Sequence, residues 1–541
     1  MFSSTPSNHP GTNNLRPILV CVFISMGAFV FGYDTGCISG ALVMPDFTGR
    51  FGELQDDGSY ALGSSRESLV VSFLSIGTFL GAFLQSYSTD MIGRKWSIFL
   101  WSAIFTIGAV IQTASFYSIW QLIAGLGVGA LSALVTLFSG EVAPARMRGP
   151  MLALYTVMNV VGLFLSYMVS LGSEHLEGSA SWRIPVGLQI PLGVLLMIGI
   201  CFVPDSPRRL LFLGKEDEAR KALAFINGLP AESGQVDELM DEVRVGMAKE
   251  NEGGKSGWLD CFGKEFSRQN FYYYYGATFF QSTGTGLNAF EIQAIMGGVA
   301  ICTVGFGLYV VDHWGRRKGL IIGTLAEAVC AIVAGLVGHF MLASKGTPDS
   351  EITQTNKTGG AVVIAFAFAH LAAYNGIAGG LPWTYLGESF PTRIRAKAVA
   401  IGTMSNWFWN FLISFFSPRI IDSIGPLILL IFAGMLVLSA LYTYFLLRET
   451  RGLTLEQVDE MYRAHVTPWR SSRWQPTTGP ARKGLQLAPA FTQDSDRTLF
   501  PVATESKEKV TEVFGSHAIK KDKSNGSGER RSLDSVDVES V

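Results

Sequence analysis

The feature that most limits what this chain can fold into is a series of apolar runs, each about as long as a bilayer is thick. A spanning helix needs roughly 20 consecutive apolar residues. Runs of that kind cover Ile18 to Leu42, Ser68 to Tyr87, Trp96 to Ser115, Ile119 to Ser139, Met151 to Leu171 and Pro185 to Val203. After a polar segment, five more follow near Glu291 to Val311, Gly319 to Leu342, Gly360 to Pro382, Ala396 to Phe416 and Gly425 to Leu447. With 48% hydrophobic and only 16% charged residues among 541, the chain has the balance of an all-α membrane protein rather than of soluble domains. The first run is about twice the length of a signal-peptide core and no small-residue cleavage pattern closes it, so it is expected to remain as a span.

Several functional classes drop out at this level. A net charge of −2 with no concentrated basic face argues against a nucleic-acid partner. The six cysteines fall at irregular spacing, mostly within apolar runs, and make neither a disulfide framework nor a metal-ligand pattern. No metal or other cofactor is expected, and no nucleophile or nucleotide motif supports an enzyme.

One apolar run holds a charge. In FGYDTGCISG, Asp34 lies inside a stretch otherwise suited to hydrocarbon. A carboxylate at that depth costs roughly 2.5 to 3.5 kcal/mol on insertion scales, which makes an intramembrane acid a functional-site hypothesis by default.

Lys and Arg in short loops stay on the cytoplasmic side. Arg94 and Lys95, Arg146 and Arg148, Arg316 to Lys318, and Arg393, Arg395 and Lys397 can all be placed there together, which puts both termini inside. The expected organisation is an N-terminal tail 1–17, a six-helix bundle 18–203, a cytoplasmic linker 204–269 with short helices, a second bundle 270–447, and a tail 448–541. The tail from about Ala464 is rich in Ser, Lys and Glu and is expected to be disordered, open to a cytoplasmic partner. Asn356, in NKT, is a glycosylation acceptor on the outer side in this arrangement. The seventh crossing has only NFYYYYGATFFQST, Asn270 to Thr283, to work with; at about 1.5 Å per residue it reaches roughly 21 Å against a core of about 30 Å, so that span looks truncated.

Two signatures recur in order in both halves. DMIGRK at Asp90 to Lys95 matches DHWGRRK at Asp312 to Lys318, and EVAPARMRG at Glu141 to Gly149 matches ESFPTRIRA at Glu388 to Ala396. Matched halves are a common transporter plan, with the substrate site at their interface near the bilayer midplane. With these motifs, FGYDTGCISG, WRIPVGLQ, PDSPRRL, the Asn406–Trp407 pair and ETRGLTLEQVDEM, the chain resembles the sugar porter family of the major facilitator superfamily, most like fungal hexose transporters, from about Pro17 to Tyr462. The resemblance implies the major facilitator fold, two six-helix bundles that rock about a central sugar site, in a multi-pass protein of the plasma membrane.

Carried over by resemblance, a cytoplasmic gate is expected from Asp90, Arg94, Glu141 and Arg148 in the first half and Asp312, Arg316, Glu388 and Arg395 in the second. Water-accessible ion pairs are individually worth about 0 to 1 kcal/mol, so such a cluster is expected to form and break in each cycle. Asp34 is the implied proton-coupling residue. The arginine that pairs with it in proton-coupled relatives is replaced by Gln121. Substrate contacts are implied for Asn270, Tyr273, Tyr274, Trp383 and Asn406, with Gln189 and Phe31 as less certain neighbours. Departures accompany these matches: a Gln-Gln pair expected before Asn270 is absent, Thr156 stands for a glutamine and Ala300 for an asparagine. The expected function is monosaccharide transport, as hexose:proton symport by alternating access. The competing expectations are a non-transporting sugar sensor that signals through its tail, and a carrier of another polyol or a quinate-like acid.

Overall fold

The structure is a computed structural model that describes residues 15–54, 60–114, 117–143, 148–251, 288–342, 353–388, 392–453 and 455–476. The truncated seventh span, the sugar contacts Asn270, Tyr273 and Tyr274, and the tail beyond 476 lie outside the described residues.

The first half runs through α1 (Leu15–Ile24), α2 (Met26–Ala41), a short α3 (Pro45–Phe51), and β1 (Glu53–Leu54) paired antiparallel with β2 (Tyr60–Ala61). Long helices follow: α4 (Ser64–Ile92), α5 (Arg94–Ala114), α6 (Tyr117–Val142) and α7 (Arg148–Ser173), then α8 (Ala180–Gly187) and α9 (Gln189–Ile200). Three polar helices come next, α10 (Pro207–Phe212), α11 (Glu216–Asn227) and α12 (Gly234–Asn251), around a small core of Leu210, Ala219, Leu223, Val236 and Met240. The second half holds α13 (Ala289–His313), α14 (Arg316–Met341), α15 (Gln354–Ala373), a π-turn at Tyr374–Ala378, α16 (Leu381–Glu388), α17 (Thr392–Ile424) and α18 (Ile428–Leu446), with α19 (Leu455–Arg463) and α20 (Pro468–Ser471) after them.

Among the described residues ten stretches are long and apolar enough to cross a membrane. The last, Lys397–Leu446, is 50 residues long and contains two crossings. Gly425, at φ 57°, and a 3-10 turn at Gly425–Leu427 separate α17 from α18. α18 then runs antiparallel to α14, from Pro426 beside Gly338 to Tyr444, whose carbonyl accepts from Arg317 Nη2 at 2.7 Å. The eleven crossings match the eleven apolar runs.

In hydrocarbon there is no hydrophobic drive between helices, so close packing of small residues holds them together. Gly32, Gly36 and Gly40 recur every fourth residue along α2 and press on Asn159, Ser166 and Ser170 of α7, while Gly162 of α7 answers against Phe29. Gly77 of α4 and Gly125 of α6 make the same reciprocal contact, while Gly81 presses on the Leu126 backbone of α6 and Gly129 on the Thr78 backbone of α4. A Cβ at Gly32 would overlap the Asn159 carbonyl oxygen, a backbone atom that cannot swing aside. Gly32→Val is therefore expected to destabilise the protein by at least about 1 to 3 kcal/mol, the usual cost of overpacking. Gly49→Ala, in open space, should leave the melting temperature of the detergent-purified protein unchanged.

One expectation needs correction here, and another falls on a residue with a structural role of its own. The tail was expected to be disordered from Ala464, yet it stays ordered to residue 476: α20 buries Ser471, whose Oγ accepts from the Glu449 N–H at 2.9 Å. Asn356, expected as a glycan acceptor, is the third residue of a capping box with Thr353 at the start of α15. Its Nδ2, the atom a glycan would occupy, donates to the Met341 carbonyl at 2.9 Å. The local sequence TQTN suits a helix start because an Asn side chain can accept from the free N–H groups of the first turn.

Candidate functional site

A cavity of about 590 Å³ lies between the halves, within the usual range for a small-molecule site. The first half contributes Phe31 and Thr35 from α2 and Tyr155, Thr156 and Asn159 from α7. The second contributes Asn375 from the π-turn, Trp383 from α16, and Asn406 and Trp409 from α17. Tyr155 and Trp383 face each other across the halves with ring centroids 4.7 Å apart, and Phe31 meets Trp407 edge-on at 5.1 Å. Trp407 itself is fully buried and donates Nε1–H to Ser132 at 3.3 Å. Aromatic faces beside amide and hydroxyl groups suit a polyhydroxylated ring, which presents C–H surfaces and hydroxyls together.

Trp383, Asn406 and Phe31 are thus brought to one cavity. Gln189 is not: it begins α9 beyond a break at Leu188 and is buried away from the cavity wall, with its side chain facing Asp34. Thr156, where a glutamine was expected, donates Oγ1–H to the Gly379 carbonyl at 3.4 Å, so the shorter side chain reaches across to the second half. Ala300 packs with Val160 and Val304 in an apolar contact.

Asp34 is 1% exposed and stands just behind the cavity, between the lining residues Phe31 and Thr35. Its Oδ2 has no hydrogen-bond partner among the described residues, nor does either amide atom of Gln189. Gln121 is equally buried and neither of its amide atoms is bonded, so it does not replace the missing cation. The span beside Asp34 carries a proline in its interior: Pro185 lies within α8, and its carbonyl accepts from Tyr33 Oη–H at 3.1 Å and Cys37 Sγ–H at 3.3 Å. Irregular backbone at membrane depth is tolerated where it is buried in protein or lines a cavity, and broken spans are common at transport sites.

At one end of the bundle Arg94 clasps Glu141 with two nitrogens, Nε to both carboxylate oxygens at 3.1 and 3.0 Å and Nη2 to Oε1 at 2.7 Å. The expectation of a weak, water-accessible contact is corrected by burial: the Glu141 side chain is 1% exposed and that of Arg94 16%. A buried pair costs several kcal/mol to break by removing one partner, because the other is left charged and dry. Asp90 and Asp312 are exposed and make no ion pair among the described residues. The side chains of Arg148, Glu388 and Arg395 lie outside the described residues.

Sequence reasoning missed two acceptors at helix starts. Asp205 accepts the Lys95 N–H at 3.3 Å at the start of α5, and Arg209 Nη1–H at 2.9 Å. Glu449 accepts the N–H groups of Arg316 and Arg317 at 2.9 and 3.0 Å at the start of α14. Each helix is preceded by a left-handed glycine, Gly93 at φ 92° and Gly315 at φ 84°. A carboxylate there satisfies free N–H groups and opposes the helix dipole. Both clusters sit at the same end of the protein, since Ala153, one turn into α7 from the Glu141 end, packs with Val310, Leu320 and Leu447 around the Arg316 end. At the other end the halves meet through Gln293 Nε2–H on Ser39 Oγ at 2.6 Å and Asn288 Nδ2–H on Glu174 at 3.0 Å.

Two helical halves around a cavity lined by aromatic rings, amides and hydroxyls define an integral, multi-pass membrane protein of the carrier type. The family model for sugar (and other) transporters matches residues 20–462, and the chain belongs to that family. It is 34% identical over 483 residues to the low-affinity glucose transporter HXT3 of Saccharomyces cerevisiae, covering 85% of this chain and 84% of the relative. To a low-affinity glucose transporter of Kluyveromyces lactis it is 34% identical over 516 residues, covering 91% and 90%. Among solved structures, the major facilitator superfamily proton:xylose symporter XylE bound to 6-bromo-6-deoxy-D-glucose superposes with a TM-score of 0.67 at 23% identity, over 83% of this chain and all of that one, which establishes the major facilitator fold.

Proposed function

We propose that this protein carries a hexose across the plasma membrane by alternating access, together with a proton, with both termini in the cytoplasm. The observation that carries this reading is the 590 Å³ cavity between the halves, with Trp383 and Asn406 on its wall, in a sugar transporter family chain. Relatives named as glucose and hexose transporters at 32 to 35% identity support a hexose as substrate. None of the observations favours the sensor reading.

In this mechanism the sugar lies against Trp383 and exchanges its hydration for bonds to Asn406 and the neighbouring amides and hydroxyls; Asn270, Tyr273 and Tyr274 complete the site. Asp34 takes up and releases the coupled proton, with Gln189 and Gln121 as its polar surroundings. Arg94 and Glu141, with Arg148, Arg316, Glu388, Arg395, Asp90 and Asp312, hold the cytoplasmic ends closed when the cavity opens outward. Lys and Arg of both repeated loops fall on one rim, as the cytoplasmic side of such a protein requires.

Uptake of labelled hexose by a host that lacks its own hexose transporters tests the reading. Uptake that saturates and is competed by other hexoses is expected; none for any hexose would refute it. Asn406→Ala should raise the concentration for half-maximal uptake about tenfold, since an unpaired buried polar group costs roughly 1 to 3 kcal/mol.

A further inference from the structure

α14 contains a second acid at membrane depth. In GLIIGTLAEAVCAIVAGLVGH, Glu327 is the only charged residue between Lys318 and His339. A carboxylate so placed is disfavoured unless it serves a purpose and faces a cavity or a polar partner. Glu327 does both. It lines the cavity between the halves one turn after Thr324, although almost none of its surface reaches solvent.

The described groups around it are titratable rather than cationic. His370, in the last turn of α15, contacts the Glu327 backbone carbonyl through Nδ1 at 3.1 Å. A carbonyl oxygen only accepts, so the ring proton sits on Nδ1 and Nε2 is left for other contacts. Tyr374 of the π-turn and Tyr442 of α18 share the cavity wall with Glu327, and Cys330 lies one turn further along its own helix. The acids and histidine of α13, namely Glu291, Asp312 and His313, sit in its first and last turns. On α16, Tyr385 is engaged with Tyr462 at 2.7 Å, the 3-10 turn before α18 holds no ionisable group, and Arg316 and Arg317 are held at the far start of α14 by Glu449 and Tyr444.

The backbone next to this acid is also the place where the tenth span departs from a regular helix. After His370 the chain widens into the π-turn, with the Gly379 N–H reaching back to the Tyr374 carbonyl at 2.7 Å. The Gly379 carbonyl is the one that accepts Thr156 Oγ1–H from the first half. Single π-turns within helices concentrate at functional positions. A charge that appears or disappears at Glu327 therefore acts on the wall of the cavity beside the widened backbone through which the two halves touch.

We propose that Glu327 is a second intramembrane proton-binding site, in the C-terminal half, whose occupancy is linked to sugar passage through the adjoining π-turn. A proton from cavity water adds to the carboxylate to give the neutral acid, and leaves to water when the wall is next exposed. The linkage to sugar rests on the transport reading above; the proton site stands on geometry alone.

Both can be tested on the purified full chain in phospholipid vesicles. Infrared difference spectra on acidification should show a protonated-carboxyl band that is lost in Glu327→Gln, kept but shifted in Glu327→Asp, and retained in Asp34→Asn. Hexose uptake by Glu327→Gln should lose at least about fivefold of its change with external pH, the low end of coupling between linked sites, while exchange of hexose across a vesicle at equal concentrations continues. Identical infrared spectra in wild type and Glu327→Gln would overturn the proton site. An unchanged pH profile of uptake in Glu327→Gln would overturn the linkage. If the wild type takes up no hexose, the transport reading fails and the infrared result still decides the proton site. Should Glu327→Gln fail to fold, the band shift in Glu327→Asp decides it.

Discussion

Asp34→Asn is expected to abolish the rise of hexose uptake with external acidity and to remove uphill accumulation, while downhill exchange of hexose persists. The substitution keeps the shape of a side chain that is 1% exposed and so leaves the packing of α2 against α7 undisturbed. What it removes is the ability to alternate between charged and neutral forms. Among the described residues no cation pairs with the carboxylate: Gln121 stands where an arginine was expected, and neither of its amide atoms bonds any of them. Proton binding must then depend on whether water reaches Asp34, and water access is what changes when Phe31 and Thr35 on the cavity wall are uncovered or covered. Uptake measured across a range of external pH, with and without a protonophore, reads this directly. A variant that still concentrates hexose against its gradient would remove Asp34 from the coupling mechanism. Gln121→Arg makes the complementary case: a cation near the carboxylate should favour its charged form, and so move the acidic limb of the uptake profile to lower pH.

The second large effect is expected at Arg94. Arg94→Ala leaves the Glu141 carboxylate buried with its bidentate partner gone, a change that typically costs about 3 to 5 kcal/mol. If that energy is spent only in the conformation with the Arg94 end closed, the balance of conformations shifts by roughly 10² to 10⁴ in favour of that end being open. Spin-label distances between the two halves at the Arg94 end, or alkylation of cysteines placed at that rim, should report the shift. Glu141→Gln should do less, because the amide still accepts a bond from the guanidinium. The paired substitution of Arg94 and Glu141 by leucines is expected to restore thermal stability close to wild type, since well-packed apolar groups often replace a buried ion pair at little cost. It should not restore turnover, because an apolar contact carries none of the geometric specificity of the bidentate clasp. Unchanged rim accessibility in Arg94→Ala would show that the pair is structural and not a gate.

Much of this site was legible one residue at a time. Asp34 was found by asking what an acid does in an apolar run, and the same question applied to TLAEAVC would have found Glu327. Arg94 and Glu141 were legible because the loop signatures repeat. Their strength was not, because the sequence does not show that Glu141 is sealed beneath Arg94. The motif WRIPVGLQ was read as supplying a sugar ligand at Gln189; here that amide lies off the cavity wall, near Asp34. NKT reads as a glycan acceptor in any sequence. Only the start of α15 shows its asparagine capping a helix.

The amino-acid sequence alone determined that this chain crosses a membrane eleven times among the described residues, in two matched halves with their basic loops at one end. A bilayer leaves few options: each crossing must be a helix about 20 apolar residues long with its backbone bonds made internally, and that demand is written as a run of residue types. Tertiary structure decided the rest. Which polar side chains share a cavity, which ion pair is dry, and where a helix widens into a π-turn depend on contacts between residues such as Thr156 and Gly379, 223 positions apart. Local propensity carries no record of such contacts, because their energy exists only once the helices have packed.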